Sequence, residues 1–317
     1  MNNTLVSIII PCFNAAEYVG EAIESALNQT APHIEVIVID DGSTDDSVNV
    51  LRSYEDRICW QTGPNRGGGA ARNTGLKQAN GEFVQFLDAD DLLHLEKVSR
   101  QLAVAARHPD RIVYSDYDWH PMGEPENRKT FAVDCGDRDS IVFILEEPRF
   151  SIQAPLHRRN SLLSIGGFRE DLKGSQEIDL HLRLACAGHQ FTHLPERLST
   201  VRGIPGSVSS HYVRTIGEQL KYLPDLADQL EQIGQLTDDR RSAFAGQMAR
   251  LGRACLQRGG TEVGMAFLAQ ADRLLPSAGI NMAYSPKMRP CVRLLGPTLT
   301  ERLVLLKRRL CGQTIPS

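Results

Sequence analysis

The chain has 317 residues and a mass of 35.1 kDa, with 41% hydrophobic residues, 23% charged residues and a net charge of −4. This composition excludes disorder as the main state, and the length predicts one large domain with an appendage, or two domains. No apolar run approaches the roughly 18 residues of a membrane span, and the first residues lack the features of a secretion signal. Seven scattered cysteines without C-x-x-C spacing favour neither a disulfide framework nor a zinc site, so we expect a cytoplasmic protein.

The charge is unevenly distributed along the chain. Residues 287–317 contain seven basic residues and one acidic residue, a net charge of +6, so the other residues carry −10. In this tail four leucines recur at the i, i+4, i+7 and i+11 spacing of one helix face. The pattern predicts an amphipathic helix that either packs on the protein itself or makes peripheral contact with an anionic membrane at its inner face. The leucines are Leu299, Leu303, Leu306 and Leu310, with Arg302, Lys307, Arg308 and Arg309 close by.

The first ninety residues alternate short apolar runs with amphipathic segments. The runs are rich in β-branched and aromatic residues, as is typical of strands buried on both faces of a parallel sheet. Helices are predicted between them, one with Asn14 as N-cap and Glu17 as its capping-box partner, and another that begins at Ser43. This β-α-β-α order predicts an α/β sheet with right-handed crossovers. The predicted strands cover residues 6–10, 36–39, 58–60 and 83–87.

The second half of the chain gives a weaker pattern. Residues 121–139 are polar and predict a loop, and from about residue 213 the pattern turns helical. We therefore expect two domains, residues 1–212 and 213–317. Residues between 251 and 276 match the spacing of one tetratricopeptide-type helical hairpin, but a single copy favours an ordinary helix pair.

Acidic residues follow two of the predicted strands. Asp40 and Asp41 follow the second strand, and Asp88, Asp90 and Asp91 follow the fourth. Ligands of open parallel sheets bind beyond the carboxyl ends of the strands, where Mg²⁺ or Mn²⁺ can be held by one or two carboxylates together with substrate phosphates. The Asp88-Ala-Asp90 turn therefore predicts a metal and phosphate site, and Asp91 is interpreted as a turn residue.

A glycine-rich segment, Asn65 to Gly75, is a third candidate. Its glycines allow close backbone approach, its N–H groups could form an anion nest, and Arg72 adds a fixed positive charge. It is neither a Walker A loop nor a dinucleotide fingerprint. Taken alone, the segment is as compatible with a flexible loop as with a binding site.

Five ordered segments closely resemble inverting glycosyltransferase family 2 over about residues 4–210. They are "SIIIPCFNAAEYVGEAIESALNQT", "EVIVIDDGSTDDS", "NRGGGAARNTGLKQANGEFVQFLDADD", "IGGF" and "DLHLRLACAG". The resemblance implies an α/β GT-A fold with a mostly parallel central sheet, followed here by an α-helical C-terminal region. It also implies a nucleotide diphosphate sugar donor, a UDP-sugar by default, a saccharide or lipid-linked acceptor, and a role in cell-envelope polysaccharide or glycoconjugate synthesis. It implies no nucleic-acid partner.

The resemblance assigns donor-binding roles to individual residues. Pro11, Phe13 and Asn14 correspond to the segment that lines the nucleotide pocket of the family. Asp41 corresponds to a carboxylate that hydrogen-bonds the base, and Arg72 to an arginine near the diphosphate.

The resemblance also implies the metal ligands and the catalytic base. Asp88 and Asp90 correspond to the D-x-D pair whose Mg²⁺ or Mn²⁺ stabilises the diphosphate as a leaving group. Alignment through "LRLA" places Glu177 where the family has the aspartate base and Asp179 at the next acidic position. On a helix these two residues lie about 200° apart, so only one of them can face the acceptor. We choose Glu177 because it takes the position of the family's base, and expect Asp179 to be a structural acid paired with an arginine. Ile204 stands where many members carry a histidine, so no metal contact is expected there.

Other functions remain open at this point. Glu177 and Ile204 would also suit a sugar-nucleotide-binding module that has lost catalysis. A sugar-nucleotide nucleotidyltransferase uses a similar α/β domain, but its glycine-rich signature normally follows the first strand. Arg158 and Arg159 lie in the segment that contacts the acceptor in the family, and they are either an ordinary solvated pair or a contact for an anionic acceptor.

Overall fold

A computed structural model of the protein describes residues 4–147, 150–204 and 211–310. The chain divides into two compact units, Met1–Ser207 and Val208–Ser317. The division falls at residue 207, against 212 expected from the sequence. In the described residues, the first unit combines a mixed sheet with helices and the second unit is helical.

Four parallel strands form one half of the sheet. Strand β1 pairs with β2 and β4, and β2 pairs with β3, so the carboxyl ends of all four strands meet at one edge. Their apolar side chains are buried on both faces of β1, β2 and β4, which explains the unbroken apolar runs in the sequence. The four predicted strands are confirmed. Their bounds are Val6–Cys12 (β1), Ile34–Asp40 (β2), Cys59–Thr62 (β3) and Phe83–Phe86 (β4).

The other half of the sheet is mixed. Across the described residues the strand order is β3-β2-β1-β4-β8-β6-β9-β5, with β7 paired to β6. Strand β8 runs antiparallel to β4 and β6, whereas β9 runs parallel to β6. The bounds are Leu92–Leu93 (β5), Arg111–Pro121 (β6), Lys129–Phe131 (β7), Pro155–Arg158 (β8) and Gln190–Gly203 (β9).

The segment predicted as a loop at 121–139 contains strand β7 and a 3-10 helix at Pro125–Asn127, so that prediction was incomplete. The strand forms because its side chains find partners on β6. Phe131 stacks on Tyr117 with ring centroids 5.0 Å apart, and Thr130 Oγ1 donates to the Asp118 carboxylate over 2.7 Å. A three-residue strand held by pairing of this kind has no periodicity that its own sequence could reveal.

In the described residues the first unit contains seven α-helices, and both predicted helix starts were wrong. Asn14 has a φ of 48° and its Oδ1 accepts from the Thr44 backbone N–H, while Ser43 Oγ accepts from the Asn14 backbone N–H. Both side chains therefore tie two loops together instead of capping helices. The helices are Val19–Leu27 (α1), Ser47–Arg52 (α2), Gly68–Gln78 (α3), Lys97–Ala105 (α4), Ser140–Glu146 (α5), Arg159–Ser164 (α6) and Gln176–Cys186 (α7).

The second unit contains the predicted helix pair. A Cβ atom added to Gly252 would lie 2.8 Å from the Gly264 carbonyl oxygen, so these glycines let α10 and α11 approach closely. None of the described helices has the length and hydropathy of a membrane span. A 3-10 helix covers Glu218–Lys221. The α-helices are Tyr212–Gly217 (α8), Leu223–Gln232 (α9), Asp238–Gln257 (α10), Thr261–Leu274 (α11), Ala278–Asn281 (α12), Arg289–Leu295 (α13) and Pro297–Leu310 (α14).

Candidate active site

The residues expected to line the nucleotide pocket lie where β1 ends. Pro11 is half-buried within β1, in register with Ile39 of β2. Phe13 follows the strand and is 49% exposed, although it is a large apolar side chain. Asn14 is held against the loop after β2 by the two hydrogen bonds described above. An exposed aromatic ring on a fixed turn can form an apolar wall for a planar ligand.

Asp41 anchors the glycine-rich segment. Its two carboxylate oxygens accept hydrogen bonds from the backbone N–H groups of Arg66, over 2.8 Å, and Gly67, over 2.7 Å. Gly67 adopts a φ of +96°, which a side chain would strain, at the point where this segment turns into α3. The Arg66 and Gly67 N–H groups therefore already bind one carboxylate of the protein, and an anion nest formed by the other N–H groups of the segment stays a prediction.

Arg72 is held between the fourth strand and α7. Its Nη2 lies 2.5 Å from Asp88 Oδ1, its Nη1 donates to Gln176 Oε1 over 3.0 Å, and the guanidinium lies over the Phe168 ring at 5.3 Å. Its buried Nε has no hydrogen-bond partner in the described part of the chain. The arginine therefore presents a fixed positive charge beside the acidic turn after β4.

Three carboxylates converge in that turn. Asp88, Asp90 and Asp91 each offer an oxygen, and these oxygens lie within 4.8 Å of one another. Burial, reinforced by the charge of Asp88, raises the pKa of Asp90 to about 6. Asp91 is buried as well, and burial together with its acidic neighbours raises its pKa. Close carboxylates that repel one another form an oxygen donor set that fits Mg²⁺ or Mn²⁺.

Asp91 was interpreted from the sequence as a turn residue. Its backbone does form the turn, but the sequence did not predict the contacts of its side chain. The Asp91 N–H donates to the Asp88 carbonyl in the turn. Its carboxylate accepts from the Arg202 backbone N–H over 2.8 Å and from the Gln153 side-chain amide. These contacts fix Asp91 within the cluster. Asp88 and Asp90 are the carboxylates with fewer hydrogen bonds to the rest of the protein.

Arg202 is a site residue that the sequence did not single out. It is buried at the end of β9, where its guanidinium donates to the Asp90 carbonyl oxygen and to the Glu21 carboxylate. The residue lies 112 positions from Asp90 in the chain. Its only sequence signal was its place two residues before Ile204, so the fold alone brings it to the cluster.

The two acids of α7 have different surroundings. Asp179 is fully buried, and its Oδ2 accepts from Arg183 Nη2 over 2.6 Å and from Arg183 Nε over 2.9 Å. The ion pair expected for Asp179 is therefore present. Burial raises the pKa of Glu177, and the charges of Arg72 and Asp88 also influence this pKa. Of the two acids, Asp179 is committed to Arg183 within α7, whereas the charge of Glu177 interacts with those of Arg72 and Asp88.

Arg158 has a structural environment. Its Nη1 lies 2.6 Å from Glu82 Oε1, its Nε donates to the Pro109 carbonyl over 2.8 Å, and its guanidinium covers the Phe83 ring at 4.6 Å. These partners join β8 to its neighbours, and a contact of Arg158 and Arg159 with an anionic acceptor stays a prediction.

Residues 7–167 match the sequence profile of Glycosyl transferase family 2. The chain therefore belongs to glycosyltransferase family 2. It is 33% identical over 166 residues to an uncharacterized glycosyltransferase of Haemophilus influenzae, a match that covers 51% of this chain and 65% of that protein. It is also 38% identical over 115 residues to UDP-Glc:alpha-D-GlcNAc-diphosphoundecaprenol beta-1,3-glucosyltransferase WfaP of Escherichia coli, covering 36% of this chain and 46% of that protein. The chain thus matches less than two thirds of the length of these curated relatives.

Solved structures share the fold along almost the whole chain. Residues 1–349 of S. aureus TarS in complex with UDP-GlcNAc superpose with a TM-score of 0.71 at 20% identity, covering 98% of this chain and 93% of that one. The mannosyltransferase PcManGT from Pyrobaculum calidifontis in complex with GDP-Man and Mn²⁺ gives a TM-score of 0.56 at 19% identity, covering 96% and 88%. The expected GT-A fold with a helical C-terminal region is confirmed.

Proposed function

We propose that the protein transfers a glycosyl group from a nucleotide diphosphate sugar to an acceptor hydroxyl, with inversion at the anomeric carbon. The observation that carries the proposal is the meeting of three carboxylates and Arg72 at the carboxyl ends of the parallel strands. Family membership supports it, and a UDP-sugar is the proposed donor because the WfaP name and the TarS complex both contain one.

The donor is proposed to lie across the ends of β1 and β2. Phe13 would form the apolar wall of the nucleotide pocket, with Pro11 and Asn14 shaping the turn beside it. Asp41 has one N–H donor on each carboxylate oxygen, and each oxygen retains a lone pair for a hydrogen bond from the base. Arg72 would donate to the diphosphate, because its charge already points at the turn where the metal ligands lie.

Asp88 and Asp90 are proposed to hold Mg²⁺ or Mn²⁺, with Asp91 fixing the turn behind them. A divalent cation bound there would neutralise charge on the diphosphate. Burial, together with the charge of Asp88, raises the pKa of Asp90, and a cation bound there would favour the ionised carboxylate. Arg202 would hold the backbone of Asp90 in place through its carbonyl oxygen.

Glu177 is proposed to accept the proton of the acceptor hydroxyl. The acceptor oxygen then forms a bond to the anomeric carbon while the bond from that carbon to the diphosphate oxygen breaks, and the nucleoside diphosphate leaves with the electron pair. A half-buried carboxylate with a raised pKa is a stronger base than an exposed one, which suits this role. Asp179 is committed to Arg183 and is proposed to be structural.

The acceptor is proposed to be a saccharide or a lipid-linked saccharide in cell-envelope synthesis. The name of WfaP specifies a diphosphoundecaprenol acceptor, and a relative from Bacillus subtilis, 41% identical over 102 residues, is named a putative teichuronic acid biosynthesis glycosyltransferase. We place the reaction in the cytoplasm, with peripheral contact of the C-terminal tail at the inner face of the membrane. The cysteines in the described part of the chain are free thiols, as a reducing compartment requires.

Donor turnover tests the proposed function directly. The purified chain would be incubated with UDP-glucose, UDP-GlcNAc and GDP-mannose, with Mn²⁺ or with EDTA, and release of nucleoside diphosphate would be measured. Hydrolysis or transfer that requires Mn²⁺ and is lost in Glu177→Gln supports the enzyme. Donor binding by the unmodified chain without turnover, in the presence of acceptor extracts, would support the alternative of a sugar-nucleotide-binding module.

A further inference from the structure

Helix α14 leaves an apolar face exposed. Its two most buried residues are polar, since Thr300 is 4% exposed and Glu301 is 1% exposed, and Val304 and Leu305 beside Glu301 are half-buried. The residues that it exposes are the four leucines at i, i+4, i+7 and i+11, which we call the leucine face. Their exposed fractions are 46% for Leu299, 47% for Leu303, 54% for Leu306 and 80% for Leu310.

Polar contacts explain why the helix packs this way round. The buried Glu301 carboxylate accepts from Arg253 Nε over 2.9 Å and from Gln257 Nε2 over 3.1 Å. The Arg253 guanidinium also lies over the Tyr284 ring at 4.9 Å and donates to the Ala283 carbonyl. Breaking a buried ion pair is costly, so the helix is fixed with Glu301 inward. The leucine face, about 170° away around the helix, is therefore held outward.

Exposed positive charge flanks the leucine face. Arg302 lies on one side of it and Lys307 on the other, and both are exposed. Arg293 and the largely exposed Leu294 add a cation and an apolar side chain in the preceding helix. Glu301 is the single acid in the sequence of α14, and its charge is paired and buried. The outward face of α14 thus combines apolar side chains with uncompensated positive charge.

We propose that the leucine face and its flanking cations bind the surface of a bilayer that contains anionic lipids. The helix would lie in the interface, with the leucines among the upper acyl chains and Arg302 and Lys307 at the headgroups. The proposal does not depend on the glycosyltransferase activity, because it rests on residues outside the acidic cluster.

A second copy of the chain fits this surface less well. The leucine spacing also matches the seam of a coiled coil, in which Arg302 and Lys307 would take the g and e positions. In a parallel pair, Arg302 of one copy would face Lys307 of the other, and in an antiparallel pair each would face its own kind. Like charges at these positions oppose pairing, whereas an anionic lipid surface attracts both.

Vesicle sedimentation with the full chain tests the proposal. Vesicles of phosphatidylcholine and phosphatidylglycerol would be compared with vesicles of phosphatidylcholine alone, at low and high NaCl. We expect binding to the anionic vesicles that weakens with salt. The variant Arg302→Gln/Lys307→Gln should bind about 20- to 30-fold more weakly at low salt. The variant Leu303→Gln/Leu306→Gln should bind at least about tenfold more weakly. Because all four side chains are exposed, thermal unfolding of these variants should match that of the unmodified chain.

Matched controls come from the same unit. Ile233→Gln removes an apolar side chain that is 62% exposed, and Arg214→Gln removes an exposed cation, both far from α14 in sequence. These variants should bind vesicles as the unmodified chain does. Point variants are preferable to truncation before α14, which would leave Arg253 without Glu301.

Three results would overturn the proposal. One is the absence of binding to anionic vesicles, and another is equal binding by the leucine variant and the unmodified chain. The third is a dimer, measured by light scattering without lipid, that the leucine variant abolishes while vesicle binding stays unchanged. That last result would assign the leucine face to a second copy of the chain.

Discussion

Arg72 Nη2 lies 2.5 Å from Asp88 Oδ1, which joins helix α3 to the turn after strand β4. The arginine side chain is 13% exposed and the aspartate side chain 32% exposed, so this pair is partly shielded from water. Arg72 therefore offsets part of the charge of the acidic cluster before any ligand is present. On donor binding, the same guanidinium would be shared between Asp88 and the diphosphate.

The first prediction concerns this arginine. Arg72→Ala removes charged hydrogen bonds that are each worth about 1.5–3 kcal/mol, so UDP affinity in Mn²⁺ should fall by roughly 10- to 150-fold. Isothermal titration calorimetry with UDP measures the change. Arg158→Ala is the matched control, because Arg158 is bound to Glu82 and should alter stability but not UDP affinity. Equal UDP affinity in Arg72→Ala and the unmodified chain would contradict the assigned role.

The second prediction concerns the metal. Asp90→Asn should lower donor affinity in Mn²⁺ by roughly tenfold or more, because the diphosphate would meet less neutralising charge. EDTA should weaken donor binding to the unmodified chain to a similar extent and should have little further effect on Asp90→Asn. Asp46→Asn, which alters an exposed acid after β2, serves as the control. If neither EDTA nor Asp90→Asn changes donor affinity, the metal has no role in donor binding.

The third prediction separates Glu177 from Asp179. Glu177→Gln should lower turnover by roughly 10²- to 10⁴-fold with nearly unchanged donor affinity, as expected for loss of a general base. Glu177→Asp should retain turnover. Asp179→Asn should instead destabilise the fold, by about 3–5 kcal/mol if Arg183 is left without its partner, which urea unfolding would show. If Glu177→Gln turns over normally and Asp179→Asn does not, Asp179 is the base.

The pH dependence of turnover gives the fourth prediction. A base must be deprotonated to act, and burial raises the pKa of Glu177. An ordinary glutamate has a pKa of about 4.3. As the pH is lowered, turnover should therefore begin to fall at a higher pH than this pKa would predict. The measurement is kcat against pH at saturating Mn²⁺ and donor, with circular dichroism to show that the chain stays folded. An acidic limb at the ordinary glutamate value would argue against Glu177.

The fifth prediction concerns two buried histidines. His157 Nε2 lies 3.3 Å from His181 Nε2, and burial lowers the pKa of His157 to about 3 and that of His181 well below its usual value. Both rings stay neutral in the folded state but gain protons in the unfolded state below about pH 6.5, so stability should fall as the pH falls. Between pH 7.5 and pH 5, the decrease in the free energy of unfolding should be about 2 kcal/mol smaller in His181→Phe than in the unmodified chain. Urea unfolding at both pH values checks this, with the exposed His33→Gln as a control that should change nothing.

The sequence predicted what local patterns encode. The four parallel strands were found because burial on both faces leaves unbroken apolar runs, and Glu177 was separated from Asp179 because helical periodicity places them on different faces. Family resemblance supplied the roles of the site residues, which composition and spacing could not.

Long-range partners explain what the sequence did not predict. Asn14 and Ser43 have the chemistry of helix caps, but each finds a partner about thirty positions away in the other loop. Arg202 reaches the acidic cluster across 112 positions, and Asp91 is fixed there by Arg202 and Gln153. Local propensity cannot anticipate such pairings, because the competing partner exists only in the folded chain.

The reciprocal hydrogen bonds between Asn14 and the Ser43-Thr44 loop have a thermodynamic consequence for the pocket. Two further hydrogen bonds connect the same loops, one from the Ala16 N–H to Asp45 Oδ2 and one from the Ala15 N–H to Ser47 Oγ. Because these hydrogen bonds hold one loop to the other within the chain, the conformational entropy of the loops is lost during folding and not during binding. The nucleotide that we propose to lie across the ends of β1 and β2 would therefore meet a pre-organised surface, and its association should require little loop rearrangement.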